Sequence, residues 1–170
     1  MTRYVVFSHG KESGPWGTKI VALAEVAREL GWQVESIDYQ GLDDPAERVS
    51  KLVAAGPFIG RAPVLVGSSM GGHVATAASK VLACGGLFLM APAFYMPGSE
   101  HLTPTPHACP MHIAHGWGDE IVPIENSIRW ARACRATLHI LDTDHRMQDQ
   151  LSALCDLFRL FLLDIGSPEA

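Results

Sequence analysis

Six short apolar runs that alternate with stretches of helical character constrain the fold of this chain most strongly. Strands are predicted at residues 3–8, 32–38, 62–68, 86–92, 109–116 and 136–142. Helices are predicted between these strands and after the last one, at residues 16–30, 43–56, 70–83, 123–134 and 149–164. Such alternation favours a mostly parallel sheet with helices on both faces and right-handed crossovers. We therefore expect an α/β fold.

The first two helices have clear boundary signals. Apolar residues recur at spacings of three and four from Ile20 to Leu30, and Gly31 predicts the end of that helix. Asp44 is the predicted N-cap of the second helix, and Pro45 stands at its first helical position. These signals support the predicted order of elements.

Residues 93–108, AFYMPGSEHLTPTPHA, interrupt the alternation. They contain three prolines and no clear period, although a helix is expected at this place in the chain. We predict a loop over the carboxyl ends of the strands, where α/β proteins bind their ligands. Neither a repeat nor a linker is evident, so a single domain over residues 1–170 is expected.

Composition argues against several classes of protein. The chain has 170 residues, 48% of them hydrophobic, and a formal charge of −5 without a basic cluster, which disfavours nucleic-acid and anionic-membrane partners. No signal-peptide pattern follows Met1, and the apolar tract 151–165 is too short and too charged to span a bilayer. The four cysteines are widely spaced, as expected for free thiols in the cytoplasm.

The stretch LVGSSMGGHVA at residues 65–75 predicts a sharp turn from a strand into a helix. Such a turn forces its central residue towards positive φ, and the residues two before and two after must be small. Ser69 has Gly67 and Gly71 at these positions, whereas Ser68 does not have glycines there. Ser69 is therefore the candidate nucleophile, and the alternative is a glycine- and serine-rich turn without catalysis.

Two backbone N–H groups are candidates for an oxyanion hole beside Ser69. Met70 begins the following helix, whose dipole favours negative charge at that end. Lys11 follows Gly10 in the loop after the first strand, and its N–H is the second candidate donor. The alternative for this loop is an ordinary connection between a strand and a helix.

A serine hydroxyl needs a base, and the base needs an orienting acid. Asp119 lies in a short turn after the fifth strand and is the candidate acid, with Glu120 as its nearest rival. His145 lies in the loop after the last strand and is the candidate base. The order Ser69, Asp119, His145 is the one expected for a triad on an α/β-hydrolase sheet.

With these loops in their observed order, the chain resembles small, lidless α/β-hydrolases of the serine esterase or thioesterase type. The pieces that carry the resemblance are FSHGKESGP, VGSSMGGHVA, AHGWGDEIVP and DTDHRM. The resemblance implies a reduced six-stranded sheet of order 2-1-3-4-5-6 without a cap domain. Only residues 93–108 stand where larger members carry a cap, so an open site with a short flap is expected.

The resemblance also implies roles for the site residues. Ser69 would be the nucleophile, His145 the general base and acid, and Asp119 its orienter, while the N–H groups of Met70 and Lys11 would bind the oxyanion. The expected substrate is a small-molecule ester or thioester, and no cofactor is needed. A peptidase or C–C hydrolase would use the same triad, and a ligand- or protein-binding protein without turnover is a further alternative. A monomer and a homodimer are both open.

Other groups of residues give weaker indications of function. His107, Cys109, His112 and His115 lie close together, but three of them fall within a predicted strand whose residues alternate in direction, so no metal site is expected. Phosphate-loop and dinucleotide motifs do not match at Gly10 or Gly67. Four aromatic residues near the predicted edge are candidates to line a substrate pocket or to pack in the core, namely Trp16, Phe94, Tyr95 and Trp117.

Overall fold

The computed structural model describes residues 2–166. Its six strands are β1 (Tyr4–Ser8), β2 (Gln33–Ile37), β3 (Val64–Ser68), β4 (Gly86–Met90), β5 (Met111–Gly116) and β6 (Thr137–Leu141). Its five α-helices are α1 (Thr18–Glu29), α2 (Pro45–Ala54), α3 (Met70–Leu82), α4 (Ile124–Cys134) and α5 (Leu151–Gly166). All the predicted elements are present, each within a few residues of its predicted bounds.

The strands form one parallel sheet in the order β2-β1-β3-β4-β5-β6. The predicted order is confirmed. Because every strand runs the same way, the loops that follow the strands meet along a single edge of the sheet. That edge receives the loops after β1, β3, β5 and β6, which carry the residues singled out in the sequence.

The core has two halves, one on each face of the sheet. On one face α1 and α5 cover the strands, and Phe158 of α5 packs edge-on against Phe88 with ring centroids 5.0 Å apart. On the other face α2, α3 and α4 enclose residues such as Leu65, Leu89 and Trp130. The alternation of side chains along buried strands supplies both halves, which holds the carboxyl edge in a rigid frame.

Residues 93–108 form a loop whose only regular element is a 3₁₀ turn, Glu100–Leu102. The loop is attached to α4 at two points. Asn126 donates a hydrogen bond to the Phe94 carbonyl at 2.8 Å, and Trp130 donates one to the Pro104 carbonyl at 3.1 Å. The prediction of a loop in place of a cap domain is confirmed.

Two further predictions can be compared with the structure. The Asp44 side chain caps α2 by accepting a hydrogen bond from the Ala46 N–H at 2.9 Å, as its position in the sequence indicates. Within residues 2–166, no helix has the length and apolar character that crossing a membrane would require.

Candidate active site

Ser69 occupies the sharp turn between β3 and α3, with φ 54° and ψ −118°. A side chain at positive φ is strained, at a cost of about 1–3 kcal/mol. The flanking glycines permit the turn, because a Cβ at Gly67 would lie 2.2 Å from the Gly71 carbonyl oxygen. A Cβ at Gly71 would lie 1.9 Å from the Ser8 carbonyl oxygen. The predicted positive φ and the predicted crowding are both confirmed, whereas Ser68 is an ordinary residue at the end of β3.

The backbone of Ser69 is fixed by neighbours on both sides. Its N–H donates to the Met90 carbonyl at 2.9 Å, at the end of β4. Its carbonyl accepts from the N–H groups of Gly72 and Ala93, each at 2.9 Å. The turn therefore connects β4, the first turn of α3 and the start of the loop at residues 93–108.

Asp119 and His145 are joined by a short hydrogen bond. Asp119 Oδ2 lies 2.6 Å from His145 Nδ1, and the Asp119 side chain is fully buried. Asp119 Oδ1 accepts from the N–H groups of Ile121 and Val122, each at 2.8 Å. Burial by itself raises the pKa of the Asp119 carboxyl, but the hydrogen bonds from His145, Val122 and Ile121 outweigh it and hold that pKa below its ordinary value. Asp119 is therefore an ionised acceptor.

An ionised carboxylate can only accept, so His145 Nδ1 carries the proton that it donates to Asp119. In neutral His145 the other ring nitrogen, Nε2, is then free to take a proton. Among residues 2–166, the Ser69 hydroxyl forms no hydrogen bond with His145. Such contacts are often long in enzymes without substrate and shorten when the substrate binds.

A second histidine, His115, also contacts Asp119. Its Nε2 lies 3.0 Å from Asp119 Oδ2 and 3.0 Å from the Val122 carbonyl oxygen, while its Nδ1 lies 2.7 Å from the Ser127 hydroxyl. Two acceptors at Nε2 place the proton there, so Nδ1 accepts from Ser127. Burial lowers the pKa of His115 more than the nearby Asp119 raises it, which keeps the ring neutral. No motif in the sequence predicts this contact; the spacing of four residues across a glycine turn is its only local signal.

The loop after β1 packs against Ser69. A Cβ built at Gly10 would lie 3.6 Å from the Ser69 Cβ, so the backbone at Gly10 directly faces the turn. Lys11 follows with an exposed side chain. Met70 is the first residue of α3, and its N–H belongs to the amino-terminal groups that have no partner within the helix. Both candidate oxyanion donors are therefore backbone groups, one directly after Ser69 and the other directly after Gly10, which faces Ser69.

Two cavities open at this edge of the sheet. One, of about 510 Å³, is lined mainly by apolar residues from α2, α3 and the 93–108 loop, including Met70, Ala93, Met96 and Leu102. The other, of about 440 Å³, is bordered by Ser68 and His145 and by more polar residues. The site thus has one apolar and one more polar recess.

Lys19 lines the more polar cavity and was not indicated by any motif. Burial lowers the pKa of its ammonium group to about 8, although attraction from Asp119 and Asp144 works in the opposite direction. A cation therefore lies close to the candidate site.

The four aromatic residues considered for a substrate pocket border neither cavity. Phe94 is fully buried and stacks on Trp130 with ring centroids 4.7 Å apart, and the Tyr95 ring is covered by Arg129 at 3.9 Å. Trp16 and Trp117 are 48% and 62% exposed. Their contact with substrate stays a prediction.

Three of the four residues weighed as metal ligands have other side-chain partners. His115 contacts Asp119, whereas His112 Nδ1 lies 3.1 Å from His139 Nε2. Cys109 contacts Cys84, and the two sulfur atoms are 3.6 Å apart. These contacts are separate from one another.

Solved structures resemble this chain over nearly its whole length. A hydrolase of the alpha/beta superfamily from Xanthomonas campestris pv. campestris is 33% identical with a TM-score of 0.84, and the match covers 95% of this chain and 99% of that one. Est1E from Butyrivibrio proteoclasticus is 16% identical with a TM-score of 0.82, covering 96% and 88%. A lidless α/β serine hydrolase from Xanthomonas campestris is 19% identical with a TM-score of 0.76, covering 99% and 86%. The last two show likeness of fold alone.

No curated protein matches the sequence. The model of the alpha/beta hydrolase family matches residues 5–168, which is nearly the whole chain. This match agrees with the sheet order, the strained turn at Ser69 and the positions of Asp119 and His145 after later strands. The chain therefore belongs to the alpha/beta hydrolase family.

Proposed function

We propose that this protein is a serine hydrolase that cleaves a small carboxylic ester or thioester through an acyl-enzyme. The observation that carries the proposal is the buried hydrogen bond of 2.6 Å between Asp119 Oδ2 and His145 Nδ1. This bond keeps His145 in the tautomer whose Nε2 can accept a proton. The strained turn at Ser69 and membership of the family support it.

In the acylation step the Ser69 hydroxyl attacks the carbonyl carbon of the substrate, and His145 Nε2 takes the hydroxyl proton. The carbonyl oxygen becomes an oxyanion, which the N–H groups of Met70 and Lys11 stabilise. Asp119 stabilises the imidazolium that forms. When the tetrahedral intermediate collapses, His145 returns its proton to the leaving alcohol or thiol, and the acyl group stays on Ser69.

Deacylation repeats these steps with water as the nucleophile. His145 takes a proton from water, the hydroxide attacks the acyl carbonyl, and the proton passes to Ser69 as the carboxylic acid leaves. The site residues described above are sufficient for both half-reactions, and the proposal requires no cofactor.

The two cavities suggest how a substrate is oriented. The apolar cavity of about 510 Å³ borders Met70, the residue next to the nucleophile, and is suited to the acyl group. The cavity that contains His145 lies where a leaving group would collect its proton. We therefore assign the acyl group to the apolar cavity and the alcohol or thiol to the other.

A fluorophosphonate probe tests the nucleophile. The wild-type protein should be labelled at Ser69, Ser69→Ala should not be labelled, and Ser68→Ala is the matched control that keeps the label. If the folded wild-type protein stays unlabelled, the alternative of a hydrolase-fold protein that binds a ligand or a partner without turnover is preferred.

A panel of nitrophenyl esters of increasing acyl length then tests the substrate. We expect activity on short and medium chains, because the apolar cavity is of limited size. A parallel set of thioesters, anilides and C–C substrates separates esterase and thioesterase activity from a peptidase or C–C hydrolase. Turnover of the anilides or C–C substrates alone would contradict the ester proposal.

We also propose a cytoplasmic location. All four cysteines are free thiols, including Cys84 and Cys109, whose sulfur atoms are only 3.6 Å apart. Such a pair stays reduced most readily in a reducing compartment. Fractionation of the cells that make the protein tests this location.

A further inference from the structure

Arg48 of α2 is a buried cation that has no carboxylate partner among the described residues. It is 1% exposed, and among residues 2–166 no Asp or Glu oxygen lies within 4.0 Å of it. Burial lowers the pKa of its guanidinium, with weaker opposing effects from Tyr39 and Asp43. A guanidinium nevertheless remains charged in proteins. Burying such a charge costs folding free energy, so its contacts indicate what it does.

Those contacts are backbone carbonyls, two of them in the loop beside the nucleophile. Arg48 Nε donates to the Leu42 carbonyl at 2.7 Å. Its Nη1 donates to the carbonyls of His9 and Gly10, at 3.1 and 3.3 Å. The charged end of Arg48 therefore lies directly behind the peptide that joins Gly10 to Lys11.

His9 holds the same peptide from another direction. Its Nε2 accepts the Tyr39 N–H at 2.8 Å, so in the neutral ring the proton is on Nδ1. That Nδ1 donates to the Gly10 carbonyl at 2.7 Å. Burial, aided by the charge of Arg48, lowers the pKa of His9 and keeps it neutral, although a backbone hydrogen bond and Asp38 act the other way. The distance of 3.8 Å from Nε2 to Asp38 is thus not an ion pair.

A trans peptide points its carbonyl and its N–H in opposite directions. The Gly10 carbonyl accepts from His9 and Arg48 on the buried side and from the Ser13 hydroxyl at 3.4 Å, so the Lys11 N–H is directed away from these donors. The Gly10 backbone faces Ser69, with 3.6 Å between its would-be Cβ and the Ser69 Cβ. The side away from Arg48 is therefore the side on which the oxyanion would form.

We propose that Arg48 is a positioning residue of the oxyanion hole: together with His9 it holds the Gly10–Lys11 peptide so that the Lys11 N–H faces Ser69. The proposal rests on the proposed function, because only an acyl-transfer reaction forms an oxyanion there. The buried positive charge also polarises this peptide and favours the negative charge that develops in the transition state.

The test uses the full chain and begins with the wild-type protein, which must label at Ser69 and turn over a short nitrophenyl ester. Arg48→Met removes the charge and all three hydrogen bonds. We expect kcat to fall by about tenfold to a hundredfold with KM changed by less than about twofold, since a weakened oxyanion donor acts on the transition state. The affinity for a boronic acid that mimics the tetrahedral adduct should fall in parallel with kcat/KM.

Two more variants keep the test decisive. Arg48→Lys retains the charge and one donor, so it should recover part of kcat and guards against poor folding of Arg48→Met. Tyr39→Phe is the matched control in the same buried cluster, because it loses only a hydroxyl contact with Ser8. It should lower the melting temperature and leave kcat unchanged.

The possible outcomes separate the two proposals. Folded Arg48→Met with wild-type kcat overturns the role of Arg48, and so does a loss confined to KM or one shared by Tyr39→Phe. Arg48→Lys decides the question only where Arg48→Met does not fold, and wild-type kcat in Arg48→Lys then overturns the role. If the wild-type protein is neither labelled nor active, the proposed function fails first and the role of Arg48 fails with it.

Discussion

Two buried histidines flank the candidate site, and they differ in what they hold. His9 follows β1 and His115 lies near the end of β5; each precedes a glycine, and they are 1% and 0% exposed. His9 donates from Nδ1 to the backbone carbonyl of Gly10. His115 donates from Nε2 to the carboxylate of Asp119. The histidine of a His-Gly dipeptide thus donates to a backbone carbonyl after β1 and to a side-chain carboxylate after β5.

This difference corresponds to two kinds of proposed catalytic group, side chains and backbone N–H groups. On the side of His115 the proposed catalytic groups are side chains, Asp119 and His145, which must be particular residue types. On the side of His9 the proposed catalytic group is a peptide N–H, which any residue except proline can supply. The first kind is visible as a motif, whereas the second depends on the residues that hold the backbone, such as Arg48.

The largest effect is expected for Asp119→Asn, on the side-chain half of the comparison. An amide can donate to His145 Nδ1 and so favour the tautomer that cannot accept the Ser69 proton. We expect kcat on a short ester to fall by about 10³- to 10⁴-fold with the fold preserved. Glu120→Gln, its exposed neighbour, is the control and should keep kcat. If folded Asp119→Asn keeps kcat, Asp119 is not the acid.

A smaller effect is expected for His115→Leu. Loss of the ring takes one donor from Asp119 Oδ2 and leaves the Ser127 hydroxyl without its partner. We expect kcat to fall by about tenfold or less and the free energy of unfolding to fall by about 1–3 kcal/mol. His115→Gln can place an N–H near the position of Nε2 and should restore most of kcat. If His115→Leu loses stability but keeps kcat, His115 only packs the core.

The smallest effect concerns the dependence of stability on pH. Burial lowers the pKa values of both His9 and His115 below 6.5 in the folded protein. The unfolded chain therefore binds more protons than the folded one as the pH drops through about 6.5, so the free energy of unfolding decreases on acidification. Above that pH the two rings are neutral in both states, so they do not make the free energy of unfolding depend on pH.

Chemical denaturation between pH 5 and 8 measures this slope. Replacing one histidine removes at most about 1.4 kcal/mol per pH unit. His115→Gln should flatten the curve below pH 6.5, and an unchanged slope would mean that His115 is already protonated in the folded protein. The same measurement on His9→Gln shows whether the two sides respond alike.

Much of the molecule follows from local signals in the sequence. Strand and helix order depends on periodicity and caps, and the position of Ser69 depends on the space that only Gly67 and Gly71 leave. Asp119 and His145 are predicted from the sequence because a nucleophilic serine needs an acid and a base in loops that follow later strands. The hydrogen bond between them agrees with that prediction.

What the sequence did not indicate depends on packing between distant elements. Arg48 resembles any other basic residue of an amphipathic helix until α2 is placed over the loop after β1. Lys19 and the cavity linings likewise depend on which loops meet at the sheet edge. Phe94 lies in the loop after β4, close to the edge of the sheet that carries the candidate site. Its ring nevertheless stacks on Trp130 and is buried in the core.

The attachment of the 93–108 loop to α4 has a kinetic consequence. Hydrogen bonds from Asn126 and Trp130 fix the loop, and the Ala93 N–H is bound to the Ser69 carbonyl itself. Under the proposed function, a loop that is hydrogen-bonded to Ser69 does not act as a lid, so we expect substrate to enter without a preceding opening step. The encounter rate should follow diffusion and the shape of the recess, and product departure should be equally unobstructed.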